Sequence, residues 1–366
     1  MLIARLGFAW ATLGAFLLFG GTWIHAEMSS MAAAVLLLWL FVTMVWAAFG
    51  VIEEADALAE ILGEPLGSLV LTLSIICLEG VLIGIAMLSS SSGATIGRDT
   101  LFGANMIMIN LAGGLALFLG GLRHREQTYN MQGTSAYLAV VITLSVIGAI
   151  LPSYTQATPR GSVTNVQAAG IMAVALFLYG ILVLIQTGRH SHFFAEAEPA
   201  GGAEVSANVP PQPRSREGVA KHALLLVAGL LPIVLLGKSL TALLDHASYQ
   251  LGAPPALGGV IIALIVVSPK AISAVKAGIA NQPQRAANLA LGSCAPAMGV
   301  IFPIMLGIGI VTGKTVIMGV GPDEVILLAV TLVLSALTFS GPRTTLLEGA
   351  AHLSIFVMYI VLMFSP

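Results

Sequence analysis

Apolar residues run along this chain in long blocks separated by short polar stretches, without the helical or alternating periodicity of half-buried elements. A block of about 20 residues crosses the roughly 30 Å hydrocarbon core of a bilayer as a helix. Eleven such blocks occur, at roughly residues 6–24, 31–50, 67–88, 100–121, 135–152, 167–187, 221–241, 256–280, 286–313, 324–340 and 347–364. The alternating segments of a membrane β-barrel do not occur. The pattern predicts an all-α polytopic membrane protein with about 11 transmembrane helices. Its longest polar stretch, "GRHSHFFAEAEPAGGAEVSANVPPQPRSREG", is rich in Pro, Gly, Ala and Glu and cannot build a core, so it is predicted as a linker. The first block follows Arg5 as a signal peptide would, yet "GGTWIHAEM" lacks a small-residue cleavage site, and a retained helix is expected.

Composition agrees: 57% of residues are hydrophobic and 9% charged, against about 25% charged in soluble domains. A net charge of −2 gives no reason to expect a nucleic-acid partner. Cys77 and Cys294 fall inside apolar blocks, which argues against a disulfide framework or thiolate cluster. No paired intramembrane aspartates, Gly-x-Ser-Gly nucleophile or H-E-x-x-H motif points to an enzyme. With the N-terminus inside, Arg5, Arg123, Arg125, Arg189, Arg214, Arg216, Lys221, Lys276, Arg285 and Arg343 are cytoplasmic. Arg98, Arg160, Lys238 and Lys314 are outside, a bias of ten against four that supports this orientation, with Lys270 assigned to neither side.

The same punctuation recurs on both sides of the linker. "LGEPLGSLVLTLSIICLEG" begins at Leu62 and "LGAPPALGGVIIALIVVSPK" at Leu251. Each has an L-G-x-P turn, an apolar helix and then an ionisable residue, Glu79 or Lys270, at offsets of 17 and 19 residues. The two helices run in opposite directions across the membrane, as in inverted-repeat transporters, whose substrate site lies at the midplane between the repeats. The expected organisation is a leading helix (1–30), a first five-helix repeat (31–187), a polar cytoplasmic linker (188–220) and a second five-helix repeat (221–366).

Glu79 lies 12 residues from Gly67 and 9 from Leu88, near mid-membrane, where an ionised carboxylate costs at least about 2.5 kcal/mol. It must face protein, water, a proton or a cation, and is the candidate ion, proton and metal ligand. Lys270 either snorkels to the interface or belongs to the same site. Pro269 removes a backbone donor, and a helix broken there would turn carbonyls toward a cavity, with the Ser268 hydroxyl beside it. Asn105, Asn110, Asn281, Gln284, Asn288 and Ser293 offer neutral oxygens on the helices that follow; interhelical hydrogen bonding is the alternative use. Glu348 and His352, four apart on one helix face, could relay protons or mark the start of the last helix. The acidic run Glu53, Glu54, Asp56, Glu60 and Glu64 could attract cations or be a solvated face.

"ADALAEILGEPLGSLVLTLSIICLEGVLI", "SPKAISAVKAGIANQPQRAANLALGS" and "GPRTTLLEGAAHL" together resemble the calcium/cation antiporter superfamily, in particular its bacterial calcium–proton exchanger branch, which also handles sodium and potassium. The resemblance implies eleven helices, two inverted repeats and exchange of a cation for protons by one acidic residue from each repeat, in the bacterial inner membrane. Glu79 matches the first acidic residue. The second is replaced: where the family pattern reads Ser-Pro-Glu, this chain has Ser268, Pro269 and Lys270. The first repeat also lacks the wider superfamily's Gly-Asn, and "GSCAPAMGVIFP" departs from the expected hydroxyl-rich segment. One carboxylate and one ammonium change the formal site charge from −2 to 0, which suits Na⁺ or K⁺ better than Ca²⁺, a cation that takes several carboxylates. A buried lysine can shed its proton, because burial disfavours the charged form. The expected partners are the transported Ca²⁺, Na⁺ or K⁺, protons and the lipid bilayer, with no resident cofactor; a homo-oligomer stays open. Two alternatives stay open: Lys270 points away and other oxygens preserve weak Ca²⁺ exchange, or the chain is a non-transporting protein with a structural Glu79–Lys270 ion pair.

Overall fold

The computed structural model describes residues 2–25, 27–63, 66–188, 191–194 and 216–365. Glu64 and Pro65 of the first turn, and most of the linker including His190 and Arg214, lie outside the described residues. Before the linker come α1 (Leu2–Trp23), α2 (Ser30–Leu62), α3 (Leu66–Ser89), α4 (Ile96–Asn105), α5 (Gly114–His124), α6 (Met131–Ser145) and α7 (Asn165–Thr187). After it come α8 (Arg216–Leu251), α9 (Pro255–Ile279), α10 (Pro283–Pro296), α11 (Phe302–Thr312), α12 (Pro322–Thr338) and α13 (Leu346–Phe364). A π-helical segment, Met106–Gly113, joins α4 to α5 in one rod, and Ala297–Ile301 joins α10 to α11 in another. These joins reduce the helices to eleven crossings. Among the described residues ten are long and apolar enough to span a membrane; the other, α12, has 17 residues.

Contacts between connections sort them onto two ends, as alternating crossings require. At the linker end, β1 (Gln127–Thr128) pairs antiparallel with β2 (Arg343–Thr344), and the Gln127 side chain donates to the Gly278 carbonyl at 2.9 Å. At the opposite end Ser162 bridges Ile317, the Ile317 amide donates to the Ala94 carbonyl at 2.8 Å, and Ser90 donates to Asp245 at 2.7 Å. So α3 runs away from the linker end and α9 toward it, the inverted relation expected from the sequence. The two turns share a backbone feature: Gly63 has φ +63° and Gly252 φ +62°, the left-handed region that glycine enters without a Cβ penalty.

Each ionisable helix packs against the other repeat's divided rod: α3 on the Ala297–Ile301 segment and α11, α9 on α4, Met106–Gly113 and α5. Small residues permit the crossings. A Cβ on Gly278 of α9 would sit 2.7 Å from the Ala116 Cα of α5. Gly278→Val is therefore expected to cost about 1–3 kcal/mol through overpacking. A lower thermal unfolding midpoint in detergent is the expected result; an unchanged one contradicts the α5–α9 contact.

The helix bounds differ from the sequence expectation in α2 and α8, which run past the apolar blocks and pack along each other. Part of the acidic run is thereby drawn into pairs. Buried Glu54 bonds His222 Nδ1 of α8 at 2.7 Å, and Glu53 meets Arg5 of α1 at 2.5 Å. Charge partners on neighbouring helices let α2 continue through residues that hydropathy alone would place in a loop.

Candidate ion-exchange site

Glu79 and Lys270 come together across the repeat interface. Lys270 Nζ donates to Glu79 Oε1 at 3.4 Å, with the residues 5% and 7% exposed for Glu79 and Lys270 respectively. A tight ammonium–carboxylate hydrogen bond measures about 2.7–2.9 Å. This pair is longer, so it is held by charge more than by a saturated hydrogen bond. Taking both charges out of water is costly, and removing one partner strands the other.

Pro269 does not break its helix: α9 is continuous from Pro255 to Ile279. Ser268 Oγ donates to the Leu264 carbonyl and Ser273 Oγ to the Pro269 carbonyl at 2.9 Å, so hydroxyls on either side of the proline bind carbonyls around it. The departures from α-geometry lie in the rods facing the ionisable helices and at the end of α6, as π segments. Asn105 stands immediately before one of them, 1% exposed, and its Oδ1 has no hydrogen-bond partner among the described residues. Ser145, immediately before the π turn Val146–Ile150 at the end of α6, likewise has a buried Oγ without a partner among the described residues. A buried unpaired acceptor costs about 1–3 kcal/mol. Asn105 Oδ1, on the rod that packs against the Lys270 helix, is an oxygen free to take a ligand.

Tyr179 of α7 packs over Gly299 of the Ala297–Ile301 segment, which faces α3, and Cys294 lies on α10, which packs against α9. Sequence reasoning chose neither, since a single Tyr or Cys in an apolar block reads as core. The packing of α7 against the Ala297–Ile301 segment and of α10 against α9 carries no local sequence signal.

The other candidates have hydrogen-bond partners of their own. Asn288 accepts from Gln284 Nε2 at 2.9 Å, Gln284 Oε1 accepts from the Asn130 amide at 2.7 Å, and Gln127 donates to Asn281 Oδ1 at 3.1 Å. This polar group ties connections together at the linker end. Ser293 donates to the Leu289 carbonyl of its own helix at 2.6 Å. Glu348 caps α13, accepting from the Thr345 amide at 2.9 Å and its hydroxyl at 2.5 Å. His352 is 1% exposed and bonds Asn110 Oδ1 through Nδ1 at 2.8 Å and Thr338 Oγ1 through Nε2 at 3.2 Å. Asn110 also donates to Thr331 at 2.8 Å. Glu348 and His352 thus have separate partners in the described hydrogen bonds. His352→Ala is expected to cost about 1–3 kcal/mol for each buried polar group left unpaired, read as a lower unfolding midpoint in detergent. An unchanged midpoint contradicts the network.

A helical bundle of inverted repeats with an ionisable pair buried between them is the architecture of a secondary transporter. The chain belongs to the sodium/calcium exchanger protein family, whose sequence profile matches residues 32–188 and 221–365. It is 36% identical to the protein y4hA of Sinorhizobium fredii over 91% of this chain and 90% of that one. It is 33% identical to the sodium-potassium/proton antiporter ChaA of Escherichia coli over 87% of this chain and 86% of that one. The crystal structure of the Ca²⁺/H⁺ antiporter YfkE shares the fold at a TM-score of 0.74 and 15% identity, covering 99% of this chain and 100% of that one.

Proposed function

We propose that this chain is a cation/proton antiporter of the bacterial inner membrane, with its N-terminus and linker in the cytoplasm and Na⁺ or K⁺ as cargo. The observation that carries the reading is the buried, long Glu79–Lys270 pair at 3.4 Å. At rest Lys270 neutralises Glu79. A monovalent cation that takes the carboxylate leaves Lys270 as an ammonium without a counter-charge, an expensive species within the membrane. Lys270 then releases its proton, so one positive charge arrives as one leaves. Rebinding of a proton by Lys270 restores the pair and expels the cation. Asn105 Oδ1 supplies a neutral oxygen to the partly dehydrated ion, and Ser268 and Ser293 hydroxyls lie on the helices that deliver it. Ca²⁺ fits this site poorly, because it takes six to eight oxygens, several usually from carboxylates. The likeness to a relative named a sodium-potassium/proton antiporter supports the same choice.

The test is a cation screen on acid-loaded vesicles carrying the verified protein, with proton release followed by a pH-sensitive dye. Release on addition of Na⁺ or K⁺ and none with Ca²⁺ is the expected result. Silence toward all three ions would reduce Glu79–Lys270 to a structural ion pair.

A further inference from the structure

We propose that His352 is a positioning residue for ion exchange: through Asn110 it holds the π segment Met106–Gly113 in the register that seats the first rod against the Lys270 helix. A π turn carries an extra residue, and in an α-helix one extra residue swings all that follow by about 100°. Such a turn needs contacts that hold it. Pro296 and Pro303 flank the π segment of the second rod, whereas no proline lies between Ile96 and His124 of the first. Asn110, the one polar side chain between Met106 and Gly113, is 0% exposed. Its Nδ2 donates to Thr331 Oγ1 of α12 at 2.8 Å and to Met106 Sγ at 3.4 Å. Its Oδ1 therefore faces His352 Nδ1 of α13, 2.8 Å away, which assigns the ring proton to Nδ1 as donor. His352 Nε2 accepts from Thr338 Oγ1 at 3.2 Å.

The held segment lies level with Lys270. A Cβ on Gly259 of α9 would sit 2.6 Å from the Asp99 carbonyl carbon of α4, and one on Gly278 2.7 Å from the Ala116 Cα of α5. The first rod and α9 therefore run side by side in the same direction. Lys270 lies 11 residues beyond Gly259 and Asn110 11 beyond Asp99, so the two stand at the same depth of neighbouring helices. The segment itself packs against α9 and α13. A Cβ on Gly114 would lie 3.1 Å from the His352 Cβ, so the rod's backbone rests on α13 at the residue that makes the bond. Asn105 stands immediately before the segment. Loss of the Asn110–His352 bond frees the segment to shift at the depth of the pair, which moves Asn105 relative to Lys270. Only the effect on cation affinity rests on the antiport reading; the hold on the segment does not.

Two readouts distinguish positioning from a general loss of packing. One is Na⁺- or K⁺-driven proton release by vesicles, resolved into maximal rate and the cation concentration giving half of it. The other is hydrogen exchange of amides 106–113 in the purified full-length protein in detergent. His352→Leu, which fills the space without a donor, is expected to raise the half-maximal concentration about tenfold. It should also speed exchange across 106–113 severalfold. His352→Asn, whose amide stands where Nδ1 stood, is expected to return both readouts toward native. Thr338→Val removes the other bond of His352 and lowers the unfolding midpoint, with both readouts native. Should His352→Leu not fold, the double variant His352→Leu with Asn110→Leu replaces both partners by apolar groups, nearly neutral for stability, and should show the same rise. Native values in the leucine variant, an equal rise in Thr338→Val, or no recovery in His352→Asn overturns the proposal. Silence of native vesicles defeats the antiport reading instead, and hydrogen exchange alone then decides the hold.

Discussion

Lys270→Glu is expected to give the chain a Ca²⁺-driven proton response that the native protein lacks. The substitution replaces an ammonium 3.4 Å from Glu79 with a second carboxylate. Two unit charges at 4 Å interact by about 4 kcal/mol at an effective dielectric near 20. For a divalent ion each such contact counts twice, and the exchange both removes a repulsion and adds an attraction. Proton sharing between the two carboxylates and their desolvation offset most of this. A residue of only about 2.8 kcal/mol still makes Ca²⁺ binding about a hundredfold tighter. Proton release from acid-loaded vesicles, titrated with Ca²⁺, checks it. A variant that keeps its Na⁺ or K⁺ response and gains none to Ca²⁺ would place Lys270 outside the ion's reach.

Glu79→Gln should abolish proton exchange with every cation and also destabilise the fold. The amide offers no negative charge to a cation, and it leaves Lys270 buried without its counter-charge. Breaking a buried pair in this way costs about 3–5 kcal/mol, whereas replacing both partners is often neutral. The double variant Glu79→Gln with Lys270→Met should therefore recover most of the thermal stability and none of the transport. Recovery of transport along with stability would show that the single variant failed by unfolding and that Glu79 does not carry the ion.

The eleven crossings and their inverted halves were legible because membrane crossing imposes length and hydropathy on each segment, and because Leu62-Gly63 and Leu251-Gly252 repeat a turn. Glu79 and Lys270 were legible because ionisable residues at mid-membrane demand partners. Their pairing needed only the inverted topology. Pro269 misled: proline removes a donor, but Ser268 and Ser273 bind carbonyls around it and α9 stays whole. The irregularities lie elsewhere: Met106–Gly113 has an apolar composition that gives no warning of one, and Ala297–Ile301 sits between Pro296 and Pro303. Asn288 offers a neutral oxygen by its residue type, and its bond to the Phe194 carbonyl comes from long-range packing at the linker end. Tyr179 and Cys294 were missed for the same reason, since one apolar helix face looks like another until its neighbours are known.

The most direct test is proton release on cation binding by the purified protein in weakly buffered detergent solution, followed with a pH electrode as Na⁺ or K⁺ is added. Competition at one pair predicts saturable release from the native chain and none from the stabilised double variant Glu79→Gln with Lys270→Met. Cation binding without release, or equal release from both proteins, would contradict exchange at Glu79 and Lys270.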